Sequence, residues 1–249
     1  MATAETLTMK LQNLGLFTLS KSLREKLSNP LFQGMDPLEM LECAIDDELD
    51  QRNNTLTERL LRRAKLKNTH ASLDTVDYRA DRQLDKTFID RLATCDFARN
   101  HRNVCFYGAS GIGKSFLGKA LGVETCRAGF RTLYVRFPPF MRELSRLEKG
   151  DSKKFESKLN YYGRIPVLLI DDWLSEAKKP GYGAILLDLM EHRYTETSTI
   201  FCTQLDPDGW ELALDVKALA QSVMGRSISN SYILHIKGDD MRKYYNCKP

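Results

Sequence analysis

The chain has 249 residues, of which 42% are hydrophobic and 28% charged, a composition typical of one large globular domain or of a domain with a small appendage. No apolar run approaches the roughly 18 residues that a membrane span needs, and the N-terminus lacks the features of a signal peptide, so we expect a cytoplasmic protein without membrane association. The six cysteines form no C-x-x-C pair, which argues against a zinc site or a disulfide framework, and a net charge of +4 does not by itself indicate a nucleic-acid partner.

The first 68 residues show helical periodicity and no convincing strand. Apolar residues recur at helical spacing from Leu7 to Leu14 and again from Leu38 to Leu49, and a basic run then covers residues 59–67. Asn29-Pro30 and the stretch 34–37 are typical helix breaks. We therefore predict an N-terminal helical domain over residues 1–68, made of three or four short helices, and a polar linker over residues 69–85.

Short apolar segments alternate with helical stretches in the remainder of the chain. The alternation is typical of a parallel sheet with helices on both faces. We predict an α/β domain over residues 86–249 with a parallel five-stranded sheet. Its predicted strands are Asn103–Tyr107, Arg131–Arg136, Pro166–Asp171, Ser198–Thr203 and Tyr232–Ile236.

A glycine-rich loop follows the first predicted strand and precedes a helix. Residues 108–115 read GASGIGKS and match the phosphate-binding pattern G-x-x-x-x-G-K-[ST]. Such a loop curls its backbone N–H groups around phosphate oxygens, and the helix dipole adds positive potential. Lys114 would reach the β- and γ-phosphates, and the Ser115 hydroxyl would bind Mg²⁺. We predict that ATP contacts Gly108, Ala109, Ser110, Gly111, Ile112, Gly113, Lys114, Ser115 and Phe116.

Two adjacent aspartates end the third predicted strand. A buried strand that ends beside the phosphate loop delivers a carboxylate to the place where Mg²⁺ sits. We expect Asp171 to hold Mg²⁺ through water, because Mg²⁺ retains several of its waters. Asp172 would be the base that orients the attacking water. The alternative is an ordinary strand-to-loop turn that uses acids as turn formers.

Two further residues could act on the γ-phosphate. Gln204 follows the fourth predicted strand and would lie beside the third strand if the sheet has the order of ring-forming ATPases; the alternative is a polar strand cap. Arg226 precedes the fifth strand and could supply the cationic finger that phosphoryl transfer benefits from, or it could be a surface arginine. Arg193 and Arg242 are weaker candidates for that finger.

A basic insert separates the second and third predicted strands. Residues 131–164 contain nine Lys or Arg against four Asp or Glu, with aromatic residues interleaved, and they look helical. Basic residues spaced along a helix suit contacts with the phosphates of DNA, although a solvated helix face would have the same pattern. The DNA-binding candidates are Arg142, Arg146, Lys149, Lys153, Lys154 and Lys158.

Several of these motifs occur together in one known family. The chain resembles the IstB-like helper ATPases of bacterial insertion sequences, which are relatives of the DnaC helicase loaders within the AAA+ class. The phosphate loop alone is unspecific, whereas the segments taken together are more specific. The resemblance rests on the segments 56–67, 108–115, Leu168–Asp172, His192–Tyr194, Thr203–Leu205 and Lys237–Arg242.

The resemblance implies an AAA+ fold and a set of residue roles. Lys114, Ser115, Asp171 and Asp172 would bind nucleotide and Mg²⁺. Gln204 would be the first sensor, Arg226 the finger that acts across a subunit interface, and Arg242 the second sensor. The sequence departs from the family pattern in two respects. Gly225 stands where the family usually has an acid before the finger. Only thirteen residues follow the fifth predicted strand, so we expect no full C-terminal lid.

The resemblance also implies partners. The chain would assemble with ATP into a homo-oligomer on double-stranded DNA and deliver that DNA to a transposase. A replicative helicase loader, which would bind a helicase and single-stranded DNA, shares the same core and remains an alternative. A small-molecule kinase is disfavoured by the adjacent aspartates and by the basic insert.

Overall fold

The structure is a computed structural model that describes residues 3–32 and 34–245. The chain divides into two compact units, Met1–Arg59 and Leu60–Pro249. Among the described residues, no helix combines the length and the apolar character that crossing a membrane would require.

The first unit is helical, as predicted. Its elements are α1 (Ala4–Asn13), α2 (Phe17–Ser28), a short 3-10 helix (Pro30–Phe32) and the greater part of α3 (Pro37–Ala64). Two acids of α3 attach α2 to it: Glu48 accepts a hydrogen bond from the backbone N–H of Leu19 at 3.0 Å, and Asp47 pairs with Lys26 at 2.8 Å.

Helix α3 differs from the prediction of several short helices. It continues without a break from Pro37 to Ala64, and its residues from Leu60 onward belong to the second unit. No proline or glycine occurs between Leu38 and Ala64, so nothing in the backbone interrupts the helix. An ion pair one turn apart, between Glu48 and Arg52 at 2.7 Å, supports it further.

The second unit contains the predicted parallel sheet. All strand pairs are parallel, and the order is β2-β3-β4-β1-β5. Strands β3 and β4 are buried along their whole length, as expected for strands with helices on both faces. The five strands are β1 (Asn103–Tyr107), β2 (Thr132–Arg136), β3 (Val167–Asp171), β4 (Ser198–Thr203) and β5 (Ser231–His235).

Helices cover both faces of this sheet. One face carries a core with Trp173, Phe201 and Trp210 at its centre, and the other packs Phe97, Phe106 and Leu117. The helices are α4 (Lys86–Ala93), α5 (Asp96–Arg99), α6 (Lys114–Arg127), α7 (Phe137–Gly150), α8 (Ser152–Gly163), α9 (Tyr182–Arg193), α10 (Pro207–Ala213), α11 (Lys217–Ser227) and α12 (Arg242–Tyr245). The fold is the predicted α/β architecture.

The segment 69–85, expected to be a polar linker, is part of the second unit and packs into its core. It contains two short 3-10 helices, Leu73–Thr75 and Ala80–Arg82. Val76 is buried in the same core as α4 and β1, and Arg82 is only 4% exposed. Because the segment is mostly polar, its sequence did not predict that Val76 and Arg82 are buried. Since the compact unit begins at Leu60, we place the domain boundary there.

Candidate active site

The predicted nucleotide-binding residues meet at the carboxyl ends of β1, β3 and β4. Most of them line a cavity of about 290 Å³ beside the glycine-rich loop, whereas Gly108, Ala109, Ile112 and Phe116 do not line it. Ligands of open α/β sheets usually bind at this edge. The lining residues are Ser110, Gly111, Gly113, Lys114, Ser115, Asp171, Asp172, Cys202, Thr203, Gln204 and Arg242.

The loop requires glycine at specific positions. Gly108 has a φ of +143°, and a Cβ built on it would lie 2.3 Å from the carbonyl oxygen of Ile236. Gly111 and Gly113 also have positive φ, at +81° and +98°. Glycine adopts these values without steric cost. The loop ends at Lys114, where α6 begins, so its backbone N–H groups and the helix dipole are available to one anion.

Lys114 is folded against the loop that carries it. Its side chain donates to the carbonyl oxygens of Gly108, at 2.9 Å, and Ala109, at 2.5 Å. The residue is 8% exposed, and burial lowers the pKa of its ammonium group. An anion in the cavity would therefore compete with two carbonyl groups for this ammonium.

Ser115 and Asp171 are brought together on neighbouring elements. The Ser115 hydroxyl donates to Oδ1 of Asp171 at 2.6 Å. The hydroxyl of Tyr134, on the adjacent strand β2, donates to Oδ2 of the same carboxylate at 3.1 Å. Burial and the nearby Asp171 raise the pKa of Tyr134, so this hydroxyl stays a donor. Sequence reasoning missed Tyr134, because its contact depends on β2 lying next to β3.

This pair of oxygen ligands fits Mg²⁺ bound in part by water and phosphate. Hydroxyl and carboxylate oxygens are hard ligands of the kind that Mg²⁺ prefers. Among residues 3–32 and 34–245, no group of three or more His, Cys, Asp or Glu side chains could hold a metal alone. A Mg²⁺ ion here would take its remaining ligands from water and from the phosphates of a nucleotide.

Asp172 and Gln204 both line the cavity. Asp172 has a φ of +55°, which turns the chain away from β3 immediately after Asp171. Its carboxylate accepts hydrogen bonds from Arg136 at 2.9 and 3.3 Å. Gln204 follows β4, and β4 pairs with β3, which is the neighbour relationship that its predicted role required.

Arg242 is brought to the loop by the chain that follows β5. Its Nη2 lies 3.4 Å from the Ser110 hydroxyl and 2.7 Å from Oδ2 of Asp240. The neighbouring Met241 donates its backbone N–H to the carbonyl oxygen of Gly111 at 2.9 Å. The Arg242 guanidinium therefore lies at the cavity rim, where the Asp240 carboxylate neutralises its charge.

Arg226 and Arg193 lie outside the cavity. Arg226, on α11, is 33% exposed and pairs with Glu191 at 2.7 Å. Arg193 is 3% exposed, which excludes it as a finger for a neighbouring subunit. Burial lowers the pKa of its guanidinium to about 9. Arg193 donates instead to the Thr199 hydroxyl and to the carbonyl oxygens of Tyr162, Gly163, Ile165 and Ser198.

The six DNA-binding candidates lie on α7 and α8. Five are exposed, and Lys158 is half-buried. Three pair with acids: Arg142 with Glu176, Lys154 with Asp151, and Lys158 with Glu143. The other three form no ion pair with any acid that the structure describes, so their charge is fully available to a partner. They are Arg146, Lys149 and Lys153.

Comparison with solved structures shows the fold. The structure of DnaI superposes with a TM-score of 0.58 at 24% identity, covering 68% of this chain and 92% of that one. The DnaC helicase loader superposes with a TM-score of 0.55 at 21% identity, covering 67% and 97%. Both likenesses are likenesses of overall architecture.

Comparison with sequences is more specific. Residues 9–248 match the family described as IstB-like ATP binding protein. The Sinorhizobium fredii protein y4pL is 30% identical over 94% of both chains. The IS1162 protein of Pseudomonas fluorescens is 34% identical, over 82% of this chain and 87% of that one. Both are named as insertion-sequence ATP-binding proteins. The chain therefore belongs to the family of IstB-like ATP-binding proteins, and it is a P-loop ATPase.

Proposed function

We propose that this ATPase assembles with ATP on double-stranded DNA and delivers that DNA to a transposase. The observation that carries the proposal is the pairing of a P-loop site with the basic insert, residues 131–164, which contains β2 and helices α7 and α8. Insertion-sequence relatives that match nearly the whole chain support the link to transposition.

The phosphate loop would bind the nucleotide triphosphate. Loop N–H groups from Gly108 to Lys114 would hold the phosphates, and Lys114 would exchange its two carbonyl partners for phosphate oxygens. Phe116 lines an adjacent cavity of about 210 Å³ that also contains Gly111, Gly113 and Arg242. This neighbouring space would take the rest of the nucleotide. Arg242 would then leave Asp240 for the phosphates.

Ser115 and Asp171 would hold Mg²⁺. When bound, the metal neutralises the charge that develops on the phosphate oxygens. Tyr134 fixes the Asp171 carboxylate from the other side. Asp172 and Gln204 would orient the attacking water, since both face the cavity and neither is deeply buried. In this arrangement Ser115 and Asp171 act on the metal, and Asp172 and Gln204 act on the attacking water.

Arg226 would complete the site from a neighbouring subunit. It lies outside the cavity of its own chain, and its ion pair with Glu191 is half exposed. An exposed pair of this kind contributes up to about 1 kcal/mol, so it can be exchanged on assembly. A guanidinium supplied in trans would then link hydrolysis to oligomer formation.

The basic insert would contact the DNA backbone. Residues 131–164 have five more positive than negative charges, against +4 for the whole chain, so they dominate the attraction to phosphate. A single subunit would bind weakly, with a dissociation constant of roughly 10⁻⁴ to 10⁻⁶ M typical of non-specific binding. Assembly would raise affinity, because each added subunit binds at high effective concentration.

The mass of complexes formed on DNA tests this proposal. The chain is mixed with duplex or single-stranded DNA of equal length, with and without ATP, and analysed by sedimentation. We expect multi-subunit complexes on the duplex with ATP, and none with Lys114→Ala. Assembly on single strands in preference to duplex would contradict the proposal and favour a helicase loader. Delivery is tested by whether bound duplex becomes the preferred target of an insertion-sequence transposase.

A further inference from the structure

Arg82 lies behind the phosphate loop, in a segment whose sequence suggests only a linker. It ends the short 3-10 helix Ala80–Arg82 and is 4% exposed. Its Nη2 donates to the carbonyl oxygen of Ile112 at 2.7 Å, and its Nη1 donates to that of Asp77 at 2.7 Å. Its own carbonyl oxygen accepts from the N–H of Lys237 at 3.4 Å. One buried guanidinium thus connects the loop to the chain before α4.

The bond to Ile112 determines how one loop peptide is oriented. In a trans peptide the C=O and the next N–H point in opposite directions. Because the Ile112 carbonyl points at Arg82, the N–H of Gly113 points away from Arg82. Gly113 lines both the cavity of about 290 Å³ beside the loop and the adjacent cavity of about 210 Å³, whereas Arg82 lines only the adjacent one. The hydrogen bond therefore presents the Gly113 N–H to the cavity.

This peptide needs such a restraint. Gly111 and Gly113 both have positive φ, and glycine also populates negative φ at little cost, so the peptides beside them can rotate. The contact is close: a Cβ on Gly113 would lie 3.0 Å from Nη2 of Arg82. Hydrogen bonds from an ionised donor are about twice as strong as neutral ones. The guanidinium also adds a buried positive charge on the side of the loop opposite to the phosphates.

We propose that Arg82 is a positioning residue, which holds the Ile112–Gly113 peptide in the orientation that binds the phosphates of a nucleotide. The proposal rests on the function proposed above, in which this loop binds ATP. Arg82 would act on phosphate binding through the loop backbone, and its side chain also lines the adjacent cavity proposed for the rest of the nucleotide. Its removal should therefore weaken phosphate recognition most.

The test compares Arg82→Met, Arg82→Lys and Arg82→Ala with the unmodified chain. We expect Arg82→Met to raise the dissociation constants of ATP and ADP about 10- to 100-fold, the range for losing a hydrogen bond to a charged group. Binding of adenosine should weaken much less than binding of ATP, because adenosine has no phosphate. The dissociation constant of ATP for Arg82→Lys should lie between those of the unmodified chain and Arg82→Met, since lysine keeps the charge but cannot donate two hydrogen bonds in the geometry of a guanidinium. KM for ATP should rise more than kcat falls.

Two controls separate positioning from general loss of structure. Arg102→Met removes a partly buried arginine that does not contact the loop. Arg102 donates to the Tyr232 hydroxyl at 3.0 Å. This variant should leave ATP binding unchanged. Guanidinium ion at non-denaturing concentration should restore ATP binding to Arg82→Ala, whereas tetramethylammonium should not.

The inference is overturned if the folded Arg82→Met chain binds ATP as tightly as the unmodified chain. It is also overturned if the binding of adenosine and the binding of ATP weaken equally, or if guanidinium ion does not restore ATP binding to Arg82→Ala. Failure of the unmodified chain to bind ATP at this loop would instead contradict the proposed function. The outcomes for the two proposals are therefore distinguishable.

Discussion

Arg136 binds the carboxylate of Asp172 through two nitrogen atoms, Nη2 at 2.9 Å and Nε at 3.3 Å. Arg136 is the last residue of β2, and α7 of the basic insert begins at the next residue. The proposed base is thus tied to the element that we propose contacts DNA. The hydrogen bond to Asp172 raises the pKa of Arg136, so the guanidinium stays charged.

Loss of the Arg136–Asp172 ion pair should increase ATP hydrolysis in the absence of DNA, because it frees the Asp172 carboxylate to contact the attacking water. The pair is exposed, with Arg136 at 61% and Asp172 at 36%. Such pairs are worth up to about 1 kcal/mol, so Arg136→Ala should raise basal turnover by at most about fivefold. Arg131→Ala, just before the same strand, is the matched control. A fall in turnover comparable to that of an Asp172 variant would mean that Arg136 supports catalysis.

Substitution of Lys114 should impair ATP binding, whereas substitution of Asp172 should impair ATP hydrolysis. Lys114→Ala removes a contact to ground-state phosphates, so ATP affinity should fall by about 100-fold. Asp172→Asn should keep ATP affinity within a few-fold and lower turnover by about 100-fold or more, because in the proposed mechanism Asp172 acts only on the attacking water. Equilibrium binding and steady-state hydrolysis measure the two effects. Normal hydrolysis by Asp172→Asn would remove that residue from the catalytic role.

The position of Arg226 predicts complementation between subunits. Arg226→Ala should bind ATP normally and lose about 10³-fold in turnover, the lower range for an arginine finger. Mixed with Lys114→Ala, it should recover activity at interfaces that pair an intact loop with an intact arginine. Glu191→Gln, which removes only the intrachain partner, should stay active. No recovery in a mixture that co-assembles would indicate a role within one chain.

Arg193 should matter for stability and not for chemistry. Its guanidinium satisfies one hydroxyl and four carbonyl oxygens between α8, the start of β3 and β4. Arg193→Met leaves buried acceptors without donors and should reduce the free energy of unfolding by about 2–4 kcal/mol. Arg164→Met, at an exposed neighbouring site, should change it little. Chemical denaturation measures both, and an equally small effect at Arg193 would contradict this account.

Local sequence patterns predicted the strands, the phosphate loop and the two aspartates. Those features depend on a few consecutive residues, and a parallel sheet brings their carboxyl ends together whatever the details of packing. Tyr134 and Arg136 could not be recognised, because their contacts with Asp171 and Asp172 require β2 to lie beside β3. Arg82 was missed for a similar reason. Its segment has a linker-like composition, and only long-range packing buries it behind Gly113.

The salt dependence of duplex binding tests the central claim most directly. Affinity is measured at several salt concentrations, with and without ATP, for the unmodified chain and for a variant with Lys149, Lys153, Lys154 and Lys158 changed to Ala. A control changes four exposed lysines outside the insert, so the net charge falls equally. The control replaces Lys10, Lys21, Lys86 and Lys217.

We expect tight binding only with ATP, falling steeply with salt. The slope of log affinity against log salt should flatten in the insert variant by about 0.9 for each DNA phosphate that the variant no longer neutralises. The control should keep the original slope, and the free subunits of both variants should bind ATP normally. Equal slopes for the insert variant and the unmodified chain would contradict the account, because the basic insert would then be only a solvated surface.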